Sequence, residues 1–283
     1  MADVLPPAVA GTRGGRLVRR TIVIAYLTVL VLVPLGVITW RTFAPGLGEL
    51  VATLTSEDAL TAIGLTIEIA VISVVLNLVF GVGIALLVTR FRFPGRRLIG
   101  ALTDLSIAVS PIVVGLALVL VYGPYTGLLG KPLAQAGFQI VYALPGMVLA
   151  TVFVSLPLVL REIVPVLEEA GTDQEQAARV LGASGLQTFR RITLPIIAPA
   201  LFYGIVVSLA RAVGEFGAVK VVSGNVSGAG QTQTATLLIE TRIQNFEPGY
   251  YQLAFLLIAI TVGAIVVVGL IRSRQERKRE SEA

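Results

Sequence analysis

Six predominantly apolar stretches recur along the 283-residue sequence, at about 21–40, 66–88, 101–122, 141–160, 196–217 and 251–271. Each is close to the ~20 residues that an α-helix needs to cross the hydrocarbon core of a bilayer. Apolar residues gathered in blocks of this length favour membrane spans over a globular interior. The expected fold class is therefore an all-α polytopic membrane protein with six transmembrane helices. Pro34, Pro111 and Pro157 fall in or near the ends of these blocks. Membrane helices tolerate such residues because neighbouring groups satisfy the freed carbonyls. No repeat relates the two halves of the chain.

Composition excludes several chemistries. Charged residues make up 14% and hydrophobic residues 55%, whereas soluble chains carry about 25% charged residues. Cysteine and histidine are both absent, which removes thiolate nucleophiles, disulfides and the commonest metal ligands. No cofactor is expected. A membrane-bound enzyme would need convergent acid–base or nucleophilic groups, and the remaining carboxylates, lysines and hydroxyls do not cluster in sequence. The net charge of +5 would suggest nucleic acid in a soluble protein, but its distribution points to a membrane surface. Arg13, Arg16, Arg19 and Arg20 precede the first span, and Arg90, Arg92, Arg96 and Arg97 follow the second. Arg161, Arg179, Arg190 and Arg191 fall in the central polar loop, and Arg272, Arg274, Arg277, Lys278 and Arg279 at the C-terminus. These are seventeen charges on one side, against Arg41, Lys131, Lys220 and Arg242 on the other. The positive-inside rule then places both termini and the central loop in the cytoplasm, with the basic clusters resting on anionic lipid.

Residues 1–20, with Pro6, Pro7 and three glycines among the arginines, read as a disordered cytoplasmic tail. The competing reading of the first apolar block is a secretory signal peptide. It is long for one, and no small-x-small cleavage site follows Trp40, so an uncleaved span is expected. Residues 273–283 read as a charged cytoplasmic tail.

The longest polar insertion is VLEEAGTDQEQAARVLGASGLQTFRRITLP, residues 166–195. Thr172 and Glu175 have the spacing of a capping box, as do Ser184 and Gln187. Gly182 between them supplies the left-handed residue that closes a helix. Gln174, Ala177, Ala178 and Leu181 fall at i, i+3, i+4 and i+7, a narrow stripe of small side chains. Two short helices are expected, the second running toward Pro195 and the fifth span. On spacing alone the segment is either an ordinary helical hairpin or a partner-binding loop.

Within the spans, Arg211 and Glu215 are spaced i, i+4 in the outer half of the fifth. Intramembrane charges are candidates for function. Arg211 either lines the path of an anion, with Glu215 neutralising it when the path is empty, or the two form a permanent ion pair. Asp104 and Glu68 lie near span ends, where structural roles are expected, and Asn77 is expected to bond between helices. Gly130-Lys131 resembles the end of a phosphate-binding loop, but Tyr125 and Pro132 break that pattern. Asn225-Val226-Ser227 matches a glycosylation sequon, a pattern too short to carry weight. With no nucleotide site in the chain, any ATP that drives it is bound elsewhere.

The central insertion resembles the EAA loop of ABC-importer permeases: Glu-Ala-Ala, three residues, Gly, nine residues, Ile-x-Leu-Pro. Ala177, Ala178, Gly182, Ile192, Leu194 and Pro195 stand at matching positions, while the family's Glu falls on Gln176, directly after Glu175. VTRFRFPGRRL (88–98), SIAVSPIVVGLALVLVYG (106–123), VLREIVPVL (159–167) and ARAVGEFGAVKVVSG (210–224) are similar to the oxyanion importers. The W-type permease of the sulfate/thiosulfate importer is most similar, with the T-type and molybdate permeases close behind. The likeness covers roughly residues 25–272. It implies a type I ABC-importer permease fold in the bacterial inner membrane, paired as a heterodimer with a T-type permease subunit. It further implies two ATP-binding cassette subunits below and an extracytoplasmic sulfate-binding protein that delivers the anion. The coupling residues it implies are Asp173, Glu175, Gln176, Ala177, Ala178, Leu181, Gly182, Ile192, Leu194 and Pro195, with motion entering the fifth span through Pro195. Arg211 and Glu215 are the substrate-path candidates. An ion-coupled secondary transporter is the rival from another class, although such proteins usually have more spans and repeated halves.

Overall fold

The computed structural model describes residues 13–228 and 230–282, and only the backbone at 13–17, 104, 268 and 271–282. Residues 1–12, expected as a disordered tail, lie outside the described residues, as do the side chains of Asp104 and the C-terminal basic cluster. The chain forms two compact units, residues 1–51 and 52–283.

In the first unit, α1 (Arg13–Leu27), a π turn (Thr28–Leu32) and α2 (Val33–Phe43) run on as one apolar helix. Its membrane-length part is Val18–Phe43, 26 residues, and helix already begins within the stretch expected as tail. The π turn has a local cause. Pro34 cannot donate to a carbonyl one turn back, and the wider turn lets Val33 N–H reach Thr28 O instead. A short α3 (Leu47–Leu54) follows.

In the second unit, α4 (Glu57–Arg90) is a 34-residue helix, and the expected span 66–88 is its inner part. The expected third span, 101–122, is broken. Α5 (Arg96–Ala108) ends before Ser110-Pro111, where α6 (Pro111–Tyr122) begins, and the two are bent by 114°. The residue before a proline is pushed out of helical geometry, so the break follows from Pro111. After α7 (Gly130–Gln135), α8 (Leu144–Ala170) carries Pro157 and Pro165 inside the helix. It extends ten residues past the expected span end. Α9 (Asp173–Val180), α10 (Gly185–Thr188), a π turn (Phe189–Thr193) and α11 (Leu194–Val213) complete the central region. The stretch from Gly185 to Val213 is one continuous helix of 29 residues. The expected fifth span, 196–217, therefore starts earlier and stops at Val213. Α12 (Gly217–Ser223), α13 (Ala235–Gln244) and α14 (Tyr250–Glu282) follow. Among the described residues, five helices are long and apolar enough to cross a membrane, and six crossings result if the bent pair counts as one.

The packing centre lies between α4, α8 and α11. Ala85, Val159, Leu160, Ile163, Leu167 and Ile197 form a buried cluster there. Gly81 makes the close approach possible, since a Cβ on it would stand 2.9 Å from Val159 Cγ1. Farther along the helices, Asn77 Nδ2 donates to Ser155 Oγ at 2.7 Å and Ser208 Oγ at 3.3 Å. The expected interhelical role of Asn77 is therefore seen, and it joins three helices. Glu68 is exposed and has no hydrogen-bonding or ion-pair partner among the described residues.

Gly81→Leu is expected to overpack this centre and destabilise the protein by about 1–3 kcal/mol. Gly83→Leu, where nothing stands within 4 Å of the added Cβ, should be near neutral. Thermal unfolding of the two purified variants in detergent compares them directly.

Candidate functional site

The polar segment after α8 folds much as its local signals require, with one exception. Gly171 (φ +63°) ends α8, and Gly182 (φ +84°) ends α9. At Gly182 the closure is a Schellman motif, in which Ala183 N–H donates to Ala178 O and Gly182 N–H to Arg179 O, both at 3.0 Å. The second capping box forms in full: Gln187 N–H donates to Ser184 Oγ at 3.3 Å and Ser184 N–H to Gln187 Oε1 at 2.8 Å.

The first capping box does not form. Thr172 is the N-cap, but its side chain caps no backbone group, and its hydroxyl accepts from Gln176 Nε2 at 2.8 Å. Glu175 is turned inward instead. Its Oε2 accepts from Arg90 Nε at 3.0 Å and its Oε1 from Thr193 Oγ1 at 2.8 Å, while Arg90 Nη1 donates to Leu167 O at 2.9 Å. The Arg90 and Glu175 side chains are each 10% exposed. A charge-assisted bond to a buried guanidinium is roughly twice as strong as a neutral one, so the carboxylate leaves the cap for the arginine. Sequence reading assigned neither Arg90 nor Thr193 to this site, because their separations from Glu175, 85 and 18 residues, carry no local signal.

The expected coupling residues divide into two groups. Asp173, Gln176, Ala177, Leu181 and Gly182 are exposed and Ala178 is half-buried. Leu181 is 87% exposed and its neighbour Val180 88%, a bare apolar tip on a polar helix. Ile192 and Leu194 are half-buried in the helix that opens α11, with Leu194 packed on the central cluster. Pro195 is exposed and follows a second π turn, in which Leu194 N–H bonds Phe189 O. The same device precedes Pro34.

About 27 Å along the helix from Thr193, at 1.5 Å per residue, lies Arg211 in the last turn of α11. Glu215 is not in that helix; it occupies the break between α11 and α12. Its Oε2 nevertheless lies 2.7 Å from Arg211 Nη1, an ion pair by distance that lacks hydrogen-bond alignment. Glu215 Oε1 accepts from Ala218 N–H at 2.9 Å, and Glu215 O accepts from Thr236 Oγ1 at 2.9 Å. The carboxylate is thus fixed and 2% exposed, whereas the arginine is 37% exposed. A Cβ on Gly217 would stand 3.1 Å from Pro111 Cβ and 3.5 Å from Ile112 N. The break in the third span and the break in the fifth therefore meet beside this pair. Two further ion pairs link the segments at this end, Arg242 with Asp58 at 2.7 Å and Lys220 with Glu240. Among the described residues no group of His, Cys, Asp and Glu could hold a metal ion.

The chain is 45% identical over 257 residues to the sulfate transport system permease protein CysW of Escherichia coli K12, covering 89% of this chain and 87% of that one. It is 42% identical over 254 residues to CysW of Synechococcus elongatus, covering 89% and 88%. It is 34% identical over 254 residues to the sulfate transport system permease protein CysT of Salmonella typhimurium, covering 89% and 91%. A crystal structure of a bacterial ABC transporter that imports the acidic polysaccharide alginate has the same fold, with a TM-score of 0.72 at 19% identity over 92% of this chain and 95% of that chain. Residues 79–280 match the family described as the binding-protein-dependent transport system inner membrane component. The chain belongs to that family, as a multi-pass permease subunit of the inner membrane.

Proposed function

We propose that this chain is the W-type permease subunit of an ATP-driven ABC importer that moves sulfate, and thiosulfate with it, into the cytoplasm by alternating access. The observation that carries this reading is the apolar tip of α9, Val180 and Leu181, standing bare on a helix closed by Gly182. Large apolar side chains presented in this way mark a contact with another protein, and α9 is the segment that matches the EAA loop. The occupant is a cytoplasmic ATPase subunit, two of which serve the complex. The second permease is a T-type partner, and an extracytoplasmic binding protein supplies the anion. The similarity to CysW over nine-tenths of the chain supports sulfate over a molybdate-type cargo, and the bare coupling helix favours an ATPase-driven importer over an ion-coupled secondary transporter. The seventeen-to-four bias in Lys and Arg supports cytoplasmic termini and a cytoplasmic α9.

Arg211 suits a transient contact with a dianion. Its guanidinium has five N–H donors, it meets Glu215 through Nη1 by distance alone, and more than a third of the side chain is open. Glu215 is held in place by Ala218 N–H, so it can neutralise Arg211 when the path is empty without following the arginine toward a passing anion. Irregular backbone at membrane depth occurs where it is buried in protein or lines a cavity, and the two breaks beside Arg211 fit such a passage. Selectivity rests mainly with the binding protein.

Radiolabelled sulfate uptake in cells lacking this chain, with and without its restoration, tests the whole reading. Uptake that requires the chain and is blocked by thiosulfate more than by molybdate is expected; loss of molybdate uptake alone would move the cargo. Val180→Glu with Leu181→Glu should release the ATPase subunits while the chain stays in the membrane, as co-purification will report. Gly182→Pro, which forbids φ near +84° and removes the donor to Arg179 O, should abolish uptake, whereas Gly182→Asn, tolerated in that conformation, should keep most of it. Arg211→Ala should lower uptake and binding-protein-stimulated ATP hydrolysis without loss of assembly; wild-type values of both would remove Arg211 from the path.

A further inference from the structure

We infer that Arg90, Glu175, Thr193 and the Leu167 carbonyl form a clasp that makes the coupling helix move with three transmembrane helices as one body, so that Arg90 and Thr193 are positioning residues for transport. This rests on the reading that α9 docks on an ATPase. Α9 has eight residues, and Glu175 is the one among them that is buried. A helix so short has little stability of its own, and its chain connection to α11 passes through Gly182, the most permissive residue in the segment. Without a side-chain attachment, a push on Val180 and Leu181 would swing a tethered peptide and leave the bundle in place.

The clasp removes that freedom. Arg90 is the last residue of α4, Leu167 lies in the last turn of α8, and Thr193 closes the π turn that opens α11. Both carboxylate oxygens of Glu175 are used, one on α4 and one on the π turn that opens α11, and the same guanidinium holds the Leu167 carbonyl of α8. Directly beside it lies the buried cluster of Ala85, Val159, Leu160, Ile163, Leu167 and Ile197. Close-packed interiors have low compressibility and transmit displacement. A movement of α9 therefore enters all three helices at once, and not through Pro195 alone. An apolar contact of the same volume could hold α9 as firmly, but non-directional contacts allow it to slip, whereas the two hydrogen bonds to Glu175 have fixed direction and set its register. One of the three helices, α11, leads to Arg211, which puts the clasp and the open guanidinium on one rigid element.

The assembled complex, with its partner permease, ATPase subunits and binding protein reconstituted in liposomes, tests this with radiolabelled sulfate. The quantity read is sulfate transported per ATP hydrolysed. Glu175→Gln, Arg90→Lys and Thr193→Val are each expected to leave the ATPase subunits bound and to lower that ratio about tenfold, within the range of couplings between linked sites. Thr193→Ser, which keeps the hydroxyl, should restore it. A role in stability alone would reduce the amount of complex and leave the ratio unchanged, and an unchanged ratio in Thr193→Val and Glu175→Gln would overturn the inference. Should the charged-pair variants fail to assemble, Thr193→Val against Thr193→Ser decides, because that pair differs from the wild type by one hydroxyl or one methyl. Failure of the docking reading is separable: ATPase subunits that stay bound to the Val180→Glu, Leu181→Glu chain would overturn it whatever the clasp variants do.

Discussion

In hydrocarbon an unsatisfied backbone N–H or C=O costs several kcal/mol, and this accounting governs each irregularity in the bundle. Two of the prolines show how it is met. Ahead of Pro34 and again ahead of Pro195, the chain inserts a five-residue π turn, so that Val33 and Leu194 reach back one residue farther, to Thr28 and Phe189. The helix stays continuous in both places. At Pro111 no such turn forms, and the span breaks between Ala108 and Pro111. That break packs against the break after Val213, where Glu215 and Thr236 take over part of the lost backbone bonding. Continuity is kept at the start of α11 and given up where the open guanidinium lies.

The polar atoms inside the bundle are placed in levels along the helices. Toward the basic end, Arg90, Glu175 and Thr193 tie α9 to the spans. Midway, Asn77, Ser155 and Ser208 join α4, α8 and α11 in the apolar packing. Beyond them stand Arg211 and Glu215, followed by the pairs of Arg242 with Asp58 and Lys220 with Glu240. The continuous helix Gly185–Val213 contributes to three of these levels through Thr193, Ser208 and Arg211. One long helix therefore runs from the loop to the region of the two breaks.

The helix–Gly–helix form of the central loop and the Ser184–Gln187 capping box were legible in the sequence, because each depends on residues within one or two helical turns. So was the interhelical role of Asn77, since a buried amide in a span needs a partner even when the partner is unknown. The failures also have physical causes. Thr172 and Glu175 have capping-box spacing, but spacing cannot register a competing guanidinium 85 residues away. Arg211 and Glu215 have helical spacing, and they do pair, yet the helix ends at Val213 and Glu215 pairs from the break beyond it.

By itself the sequence determined that this chain crosses a membrane several times as helices, which end carries the positive charge, and where a polar loop interrupts the spans. Those properties follow from hydropathy, charge and local backbone preference, which are read residue by residue. Only the tertiary structure decided which carboxylate meets which arginine, that Glu175 faces inward while Val180 and Leu181 face out, and that two broken spans meet beside Arg211. Such pairings are settled by the desolvation of charges brought together from distant segments, and that balance exists only once the helices have packed.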